Sequence, residues 1–288
     1  GIPSGSTVLL ASKPKHGKTT LALSFCATAQ QEKYGSRLVF LADSEHRLKA
    51  MNLKSIHGLD YTDKFVHIHS SKNKILTAED FLNILEKIIK TQPKSVIVLD
   101  SASALCPEKE LNEAITGSTR SLLPRILAAF LRKNAAAIYI NDVIFIVIQH
   151  LIANTAPGQH SPWIADSGNK LQYQADISVV IKYKKDWKVG SNENQKQIGD
   201  LLFVECITNA LGAVPQADIS LWHRFNHGID FLMEHINMAI EFGIITKAGA
   251  WYEYKGNKVQ GTESIYEYLR DNQEIQADLI ASVKEILR

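Results

Sequence analysis

Short runs of Val, Ile and Leu alternate along this chain with stretches whose apolar residues recur every third or fourth position. Thr7–Ala11, Val96–Leu99 and Val143–Ile148 are nearly uninterrupted apolar runs, the pattern of strands buried on both faces. Leu38–Ala42, Phe65–His69, Ile177–Ile181 and Leu201–Ile207 read as further strands. A helix is predicted from Thr19 to about Gln31. A second carries Phe81, Ile84, Leu85 and Ile88 on one face, behind a capping-box spacing at Thr77 and Asp80. Leu122, Leu123, Ile126, Leu127 and Phe130 mark a long amphipathic helix. Strands alternating with helices predict an α/β fold with a mostly parallel central sheet covered by helices. From about Ile229 the pattern becomes helix, short hairpin, helix, a small C-terminal α+β domain. The expected division is residues 1–228 and 229–288.

Three polar stretches interrupt the packed pattern. One runs from about Glu108 to Thr119, and one from Leu151 to about Gly168, rich in Gly, Pro, Ser, Asn and Ala. Loops of that length inside a compact domain usually carry function or are disordered. A third, Lys184–Gln197, is expected to be a polar loop between two late strands.

The first strand and first helix enclose Ser12, Lys13, Pro14, Lys15, His16, Gly17, Lys18, Thr19 and Thr20. Strand, loop and helix in that order are the context of a P-loop, whose backbone N–H groups wrap phosphates at a helix N-terminus. Lys18 would meet the terminal phosphates of ATP, and the Thr19 hydroxyl would ligate Mg²⁺. Ser12 stands where the pattern has Gly; if that position needed a positive φ, Ser would cost about 1 kcal/mol. Asp100 ends the run Val96–Leu99, at the end of a strand buried beside the loop, where a carboxylate holds Mg²⁺ in the Walker B role. Glu45 follows the second strand and is a candidate to orient the attacking water, with Asp43 as its local competitor. Gln149 ends the strand Val143–Ile148 and opens the second long loop; its amide is a candidate link between the γ-phosphate and that loop.

Composition adds limits rather than identity. The net charge of +2 neither demands nor excludes a nucleic-acid partner, because a local basic surface can sit on a neutral protein. Cys26, Cys106 and Cys206 form no CxxC pair, which argues against a disulfide frame or a zinc site and fits a reducing compartment. His67 and His69 share a strand face without an evident third ligand. The longest strongly apolar run is too short for a bilayer, so no membrane association is expected. The opening residues do not read as a signal peptide, and a cytoplasmic location is expected. Arg120, Arg125, Arg132 and Lys133 offer phosphate contacts, and the seven-residue spacing of Arg125 and Arg132 keeps them on one helix face.

The ordered motifs, Gly17-Lys-Thr-Thr20, Asp43-Ser-Glu-His46, Val98-Leu-Asp-Ser101, Gln149 and Ser167-Gly-Asn-Lys-Leu171, resemble those of the RecA/UvsX family of DNA strand-exchange recombinases. The most specific match is Lys247-Ala-Gly-Ala-Trp-Tyr-Glu-Tyr-Lys-Gly256, which resembles the family's C-terminal domain almost letter for letter. The resemblance spans essentially the whole chain. It implies a RecA-like P-loop ATPase core and an ATP- and Mg²⁺-dependent recombinase. Such a protein forms a helical homo-oligomeric filament on single-stranded DNA, pairs it with double-stranded DNA, and serves recombination, repair and the SOS response. It implies catalytic roles for Lys18, Glu45 and Gln149. The stretches 108–119 and 151–168 become DNA-binding loops. Arg125, Arg132, Gly168 and Asn169 become DNA contacts, and Lys247, Lys255 and Lys258 part of a duplex-capturing surface. Tyr173 falls at a subunit interface. Trp251 is expected in the core of the small domain, with Tyr252 and Tyr254, and His223 and Phe225 are candidates for adenine contact. Single-strand-binding or mediator proteins are possible partners.

Four departures accompany the resemblance. Thr208 and Ala210 stand where the family has lysines that reach the neighbour's ATP, which predicts slow hydrolysis, or Lys184 or Lys185 as a substitute. Leu151 replaces a basic residue, Ser12 replaces Gly, and neither the N-terminal docking helix nor the acidic tail is evident, so an assembly segment is expected beyond this sequence. Thr208, Ala210 and Ser12 keep one alternative open, a nucleotide-binding mediator or paralogue with little hydrolysis, while the Lys247–Gly256 string argues against a third, a ring-shaped motor on the same core.

Overall fold

The computed structural model describes residues 2–112, 122–154, 163–166, 170–190, 194–210 and 219–287. The chain forms two compact units. The first holds residues 1–184, 202–220 and 226–228; the second holds 185–201, 221–225 and 229–288.

In the first unit, β1 (Ser6–Ser12) lies centrally and leads into α1 (Lys18–Ala29). There follow β2 (Val39–Asp43), a single helical turn α2 (Ala50–Lys54), β3 (Phe65–Ile68), α3 (Ala78–Thr91) and β4 (Val96–Asp100). Beyond them come α4 (Glu108–Asn112), the long α5 (Leu122–Ile140), β5 (Ile144–Ala153), a short β6 (Trp163–Ala165) and α6 (Lys170–Gln174). Two long strands, β7 (Ile177–Val189) and β8 (Lys196–Asn209), complete the sheet of this unit, in the order β8-β7-β1-β5-β4-β2-β3, with β6 against β5. The pairs β1–β5, β1–β7, β5–β4, β4–β2 and β2–β3 are all parallel.

Alternation along the strands sends side chains to opposite faces. On one face Leu9, Ile97, Leu99, Phe145 and Val147 pack with Phe81, Leu85 and Ile89 of α3 and with Leu127, Phe130 and Ile138 of α5. Each such buried side chain contributes about 1.5–3 kcal/mol over exposure. Helix α1 packs against β1, β4 and β5, burying Leu23 and Cys26. The capping box predicted at Thr77 forms: the Thr77 side chain accepts from Asp80 N, and Asp80 accepts from Thr77 N.

The second unit contains the far lengths of β7 and β8, part of β9 (Ile219–Arg224), and α7 (Phe231–Glu241), which follows the two-residue β10 (Gly228–Ile229). A three-stranded meander, β11 (Thr246–Ala248), β12 (Trp251–Tyr254) and β13 (Asn257–Gln260), replaces the expected hairpin. Helices α8 (Thr262–Asp271) and α9 (Gln273–Ile286) close the chain. Lys255 and Gly256, both at positive φ, turn β12 into β13 as two-residue hairpin loops require.

Two expectations about loops need correction. Most of Lys184–Gln197 is not a loop, because β7 runs to Val189 and β8 starts at Lys196. The stretch 151–168 contains strand, with Leu151–Ala153 of β5 paired antiparallel to β6. Its residues 155–162 and 167–168 lie outside the described residues, as do residues 113–119 of the first loop.

Candidate nucleotide site

Because the strands run parallel, the chemistry they carry collects at one end. β2 and β4 are in register, with Asp43 opposite Asp100; β1 and β5 are in register, with Ala11 opposite Gln149 and Ser12 opposite His150. The carboxyl ends of parallel strands are where open α/β sheets bind ligands.

The loop after β1 makes its turn at Lys15 and Gly17, which hold positive φ of 61° and 84°. Gly17 is the N-cap of α1, so the first N–H groups of that helix face the loop without intrahelical partners. A side chain at Gly17 would press on Leu202 at 3.2 Å. Ser12 closes β1 in the strand and not at a positive φ, so the penalty conditional on that geometry does not arise. Its hydroxyl is instead useful to the lysine. Lys18 Nζ donates to Ser12 Oγ at 3.1 Å, Ser12 O at 3.2 Å and Lys13 O at 3.0 Å. Burial lowers the Lys18 pKa, opposed by the charges of Asp100, Glu45 and Asp166. A buried cation whose hydrogen-bond partners are all neutral is suited to an incoming anion. Lys13 lies 3.8 Å from the ring centre of Trp163 on β6, and His16 approaches Pro14 O at 2.9 Å. Pro14 and Lys15 are exposed, and Thr20 sits half-buried in the first turn of α1.

Thr19 Oγ1 donates to Asp100 Oδ2 at 2.7 Å, so the loop and the end of β4 meet. Burial pushes the Asp100 carboxyl up to about 6, with Glu45 and Asp43 adding repulsion. Keeping it ionised at neutral pH therefore costs about 3 kcal/mol, which a bound cation would offset. A hydroxyl and a carboxylate are the oxygen donors that Mg²⁺ takes, alongside phosphate oxygens and water. Among the described residues no group of three or more His, Cys, Asp or Glu side chains forms a metal site.

Asp43 and Glu45 separate into different tasks. Asp43 is buried and accepts from the backbone N–H groups of His46 and Leu48 at 2.8 and 3.4 Å, with His67 Nε2 at 3.3 Å. It shapes the turn after β2. Glu45 keeps its carboxylate toward the site, with Ser101 Oγ donating to Oε1 at 3.0 Å, His150 Nε2 at 2.7 Å from Oε1, and Arg47 at 3.3 Å from Oε2. The His150 hydrogen bond is the main reason the Glu45 pKa falls to about 2, against the upward push of burial. His150 was not singled out by sequence; it belongs to no motif, and only its place one residue after Gln149 marks it.

Gln149 and His150 are successive on β5 and so point to opposite faces. Gln149 is buried and lines a cavity of about 550 Å³ together with Lys13, Leu151, Trp163, Ser178 and Lys182. It is thus placed beside the phosphate loop and the second long loop.

The remaining candidates lie on the surface. Arg125 and Arg132 are exposed on α5 and share a groove with Tyr173 and Gln174, whereas Lys133 pairs with Glu86 at 2.8 Å. Arg120, Gly168 and Asn169 lie outside the described residues. In the second unit, Lys247 sits 5.4 Å from the Tyr252 ring and Lys258 5.5 Å from the Trp251 ring, while Lys255 is engaged with Asp278 at 2.6 Å. Trp251 is not in the core: β12 alternates, sending Tyr252 and Tyr254 inward and leaving Trp251 44% exposed. His223 and Phe225 stack edge to face within the second unit. Thr208 and Ala210 close β8, with Ala210 N donating to Asp176 O. No helix among the described residues is long and apolar enough to cross a membrane.

Comparison with known proteins agrees with this geometry. The model of the RecA N-terminal domain matches residues 1–230, and that of the RecA C-terminal domain matches residues 233–288. The chain is 28% identical over 287 residues to Protein RecA of Bartonella bacilliformis and to Protein RecA of Bartonella tribocorum, covering 99% of this chain and 78% of each relative. Both domain types are therefore present, in order. The chain belongs to the RecA family, DNA-dependent ATPases of recombination and repair that bind ATP with Mg²⁺ and form filaments on DNA.

Proposed function

We propose that this protein is an ATP-dependent recombinase that polymerises on single-stranded DNA and promotes homologous pairing and strand exchange. The observation that carries the reading is the meeting of Lys18, Thr19, Asp100 and Glu45 at one end of the sheet, in a chain matched by both RecA domain types. Lys18 leaves its neutral carbonyl partners for the terminal phosphates, with the N–H groups of the loop and of α1 around them. Thr19 and Asp100 hold Mg²⁺, which supplies charge neutralisation on the phosphate oxygens. Glu45, held as a carboxylate by its three donors, orients the attacking water and takes its proton. Gln149, beside Lys13 and the return strand β6, links phosphate occupancy to the segment 151–168. That segment and 108–119, with Arg120, Arg125, Arg132, Gly168 and Asn169, hold the single strand. Residues 1–228 form the ATPase core. Residues 229–288 capture the duplex through Lys247, Lys255 and Lys258.

ATP turnover with and without single-stranded DNA, followed by a strand-exchange assay on the full-length protein, tests this. Stimulated turnover that Lys18→Ala removes, together with product joint molecules, is the expected result. ATP-independent DNA binding without exchange would overturn it. Thr208 and Ala210 favour one second reading, a nucleotide-binding mediator with little turnover, because neither supplies a cation to a neighbour's phosphates. Tight ATP binding with no filaments by electron microscopy is its signature.

A further inference from the structure

Glu45 is the carboxylate that needs a fixed aim, and its donors differ in how firmly they are themselves held. Arg47 is mostly exposed, on a flexible stem, and its pairing is worth little. Ser101 is buried and its backbone is held by Ser44 Oγ, but its donor is a hydroxyl hydrogen that turns about the C–O bond. His150 offers a ring N–H whose direction is fixed by a planar side chain. Its ring is about four-fifths buried and lies 2.7 Å from Glu45 Oε1. Its backbone is pinned on both sides: His150 N donates to Ser103 Oγ at 2.8 Å, and Asp166 N donates to His150 O at 3.2 Å. Ser103 in turn bonds the Asp166 side chain. The imidazole therefore approaches Glu45 from a rigid strand end and keeps one orientation.

We propose that His150 is the positioning residue for Glu45. Its Nε2–H fixes Oε1, so that Oε2, which the mostly exposed Arg47 approaches at 3.3 Å, is the oxygen aimed at water. The tautomer follows from the geometry, because an ionised carboxylate only accepts and the facing nitrogen must carry the proton. A general base must sit within hydrogen-bond reach of the proton it takes, and small losses of aim reduce rate steeply. Removing the donor would leave the substrate's own contacts intact, since the His150 ring bonds Glu45 and only its backbone lies beside Ser12 of the phosphate loop. The effect should therefore fall on kcat and not on KM. This inference rests on the reading of Glu45 as the water-orienting group.

The test uses the full-length protein and steady-state ATP turnover with single-stranded DNA present. His150→Phe keeps ring volume and loses the donor; His150→Gln keeps a donor of similar reach. The expected result is that His150→Phe lowers kcat by about tenfold or more with KM for ATP within about twofold, and that His150→Gln recovers most of the loss. In a Glu45→Gln background His150→Phe should cause no further loss, because the two residues act as one unit. Equal turnover in the Phe and Gln variants, a change confined to KM, or full additivity with Glu45→Gln would each overturn the proposal. Lys18→Ala run alongside separates the two readings. If it abolishes turnover while His150→Phe matches the parent, only the role of His150 fails. If it turns over like the parent, the nucleotide reading fails with it.

Discussion

Both units bury charge, but they treat it in opposite ways. In the second unit Arg224 Nε donates to Asp230 at 2.6 Å, and its guanidinium lies between the rings of Trp187 and Tyr266, 4.5 and 4.4 Å from their centres. Asp230 also caps α7 by accepting from Met233 N at 3.0 Å. Arg224 Nη1 also lies 3.8 Å from Glu263 Oε1, its buried Nη2 makes no hydrogen bond, and the cluster ties β9 to α7. In the first unit Lys18 is buried among neutral oxygens and Asp100 is pushed up to about 6. Neither charge has the counterion its burial calls for. Compensated charge holds a fold together; charge left short of compensation waits for a ligand.

That contrast can be broken at either end. The largest effect is expected from Lys18→Ala, which should lower ATP turnover by about 10³-fold without lowering the melting temperature, since it removes a buried cation that the fold does not need. Glu45→Gln should lower kcat by about 10²-fold or more and leave ATP binding, measured by equilibrium titration, nearly unchanged. Arg224→Ala should do the reverse: denaturant unfolding should show a loss of about 3 kcal/mol in the second unit, because Asp230 is left buried without its partner.

The smallest effect sharpens the comparison through pH. Glu234 accepts a hydrogen bond from Trp222 N, and burial raises its pKa from 4.5 to about 7. Between those values the folded protein keeps a proton that the unfolded chain releases, so stability falls as pH rises from 4.5 to about 7 and levels off above it. The expected loss is about 1–2 kcal/mol after allowing for partial exposure. Glu234→Gln should flatten the profile in denaturation series at pH 5, 6, 7 and 8. An unchanged slope would place the titration elsewhere.

How much of this could be read from the chain depends on how local each cause is. The run Val96–Leu99 ending in Asp100, the Gly17-Lys18-Thr19 turn and the Thr77–Asp80 cap are set by neighbours in sequence, and each appears where the pattern puts it. The extension of β7 beyond Ile181 is not legible in the sequence because most of its residues are exposed. Lys182–Asp186 are all outward, and only Trp187 turns in, so no alternation survives to mark a strand. Trp251 was misplaced because ten familiar letters fix a segment but not which of its faces is covered.

The order of residues by itself determined most of the first unit's elements, the parallel class of its sheet and the Gly17-Lys18-Thr19 turn, because those follow from side-chain periodicity and backbone freedom over a few positions. Only the tertiary structure decided that Asp43 turns to the backbone of His46 and Leu48 while Glu45 meets Ser101 and His150, and that Lys18 donates to Ser12. Such pairings join strands far apart in the chain, and their energies depend on burial and register, which no short stretch of sequence contains.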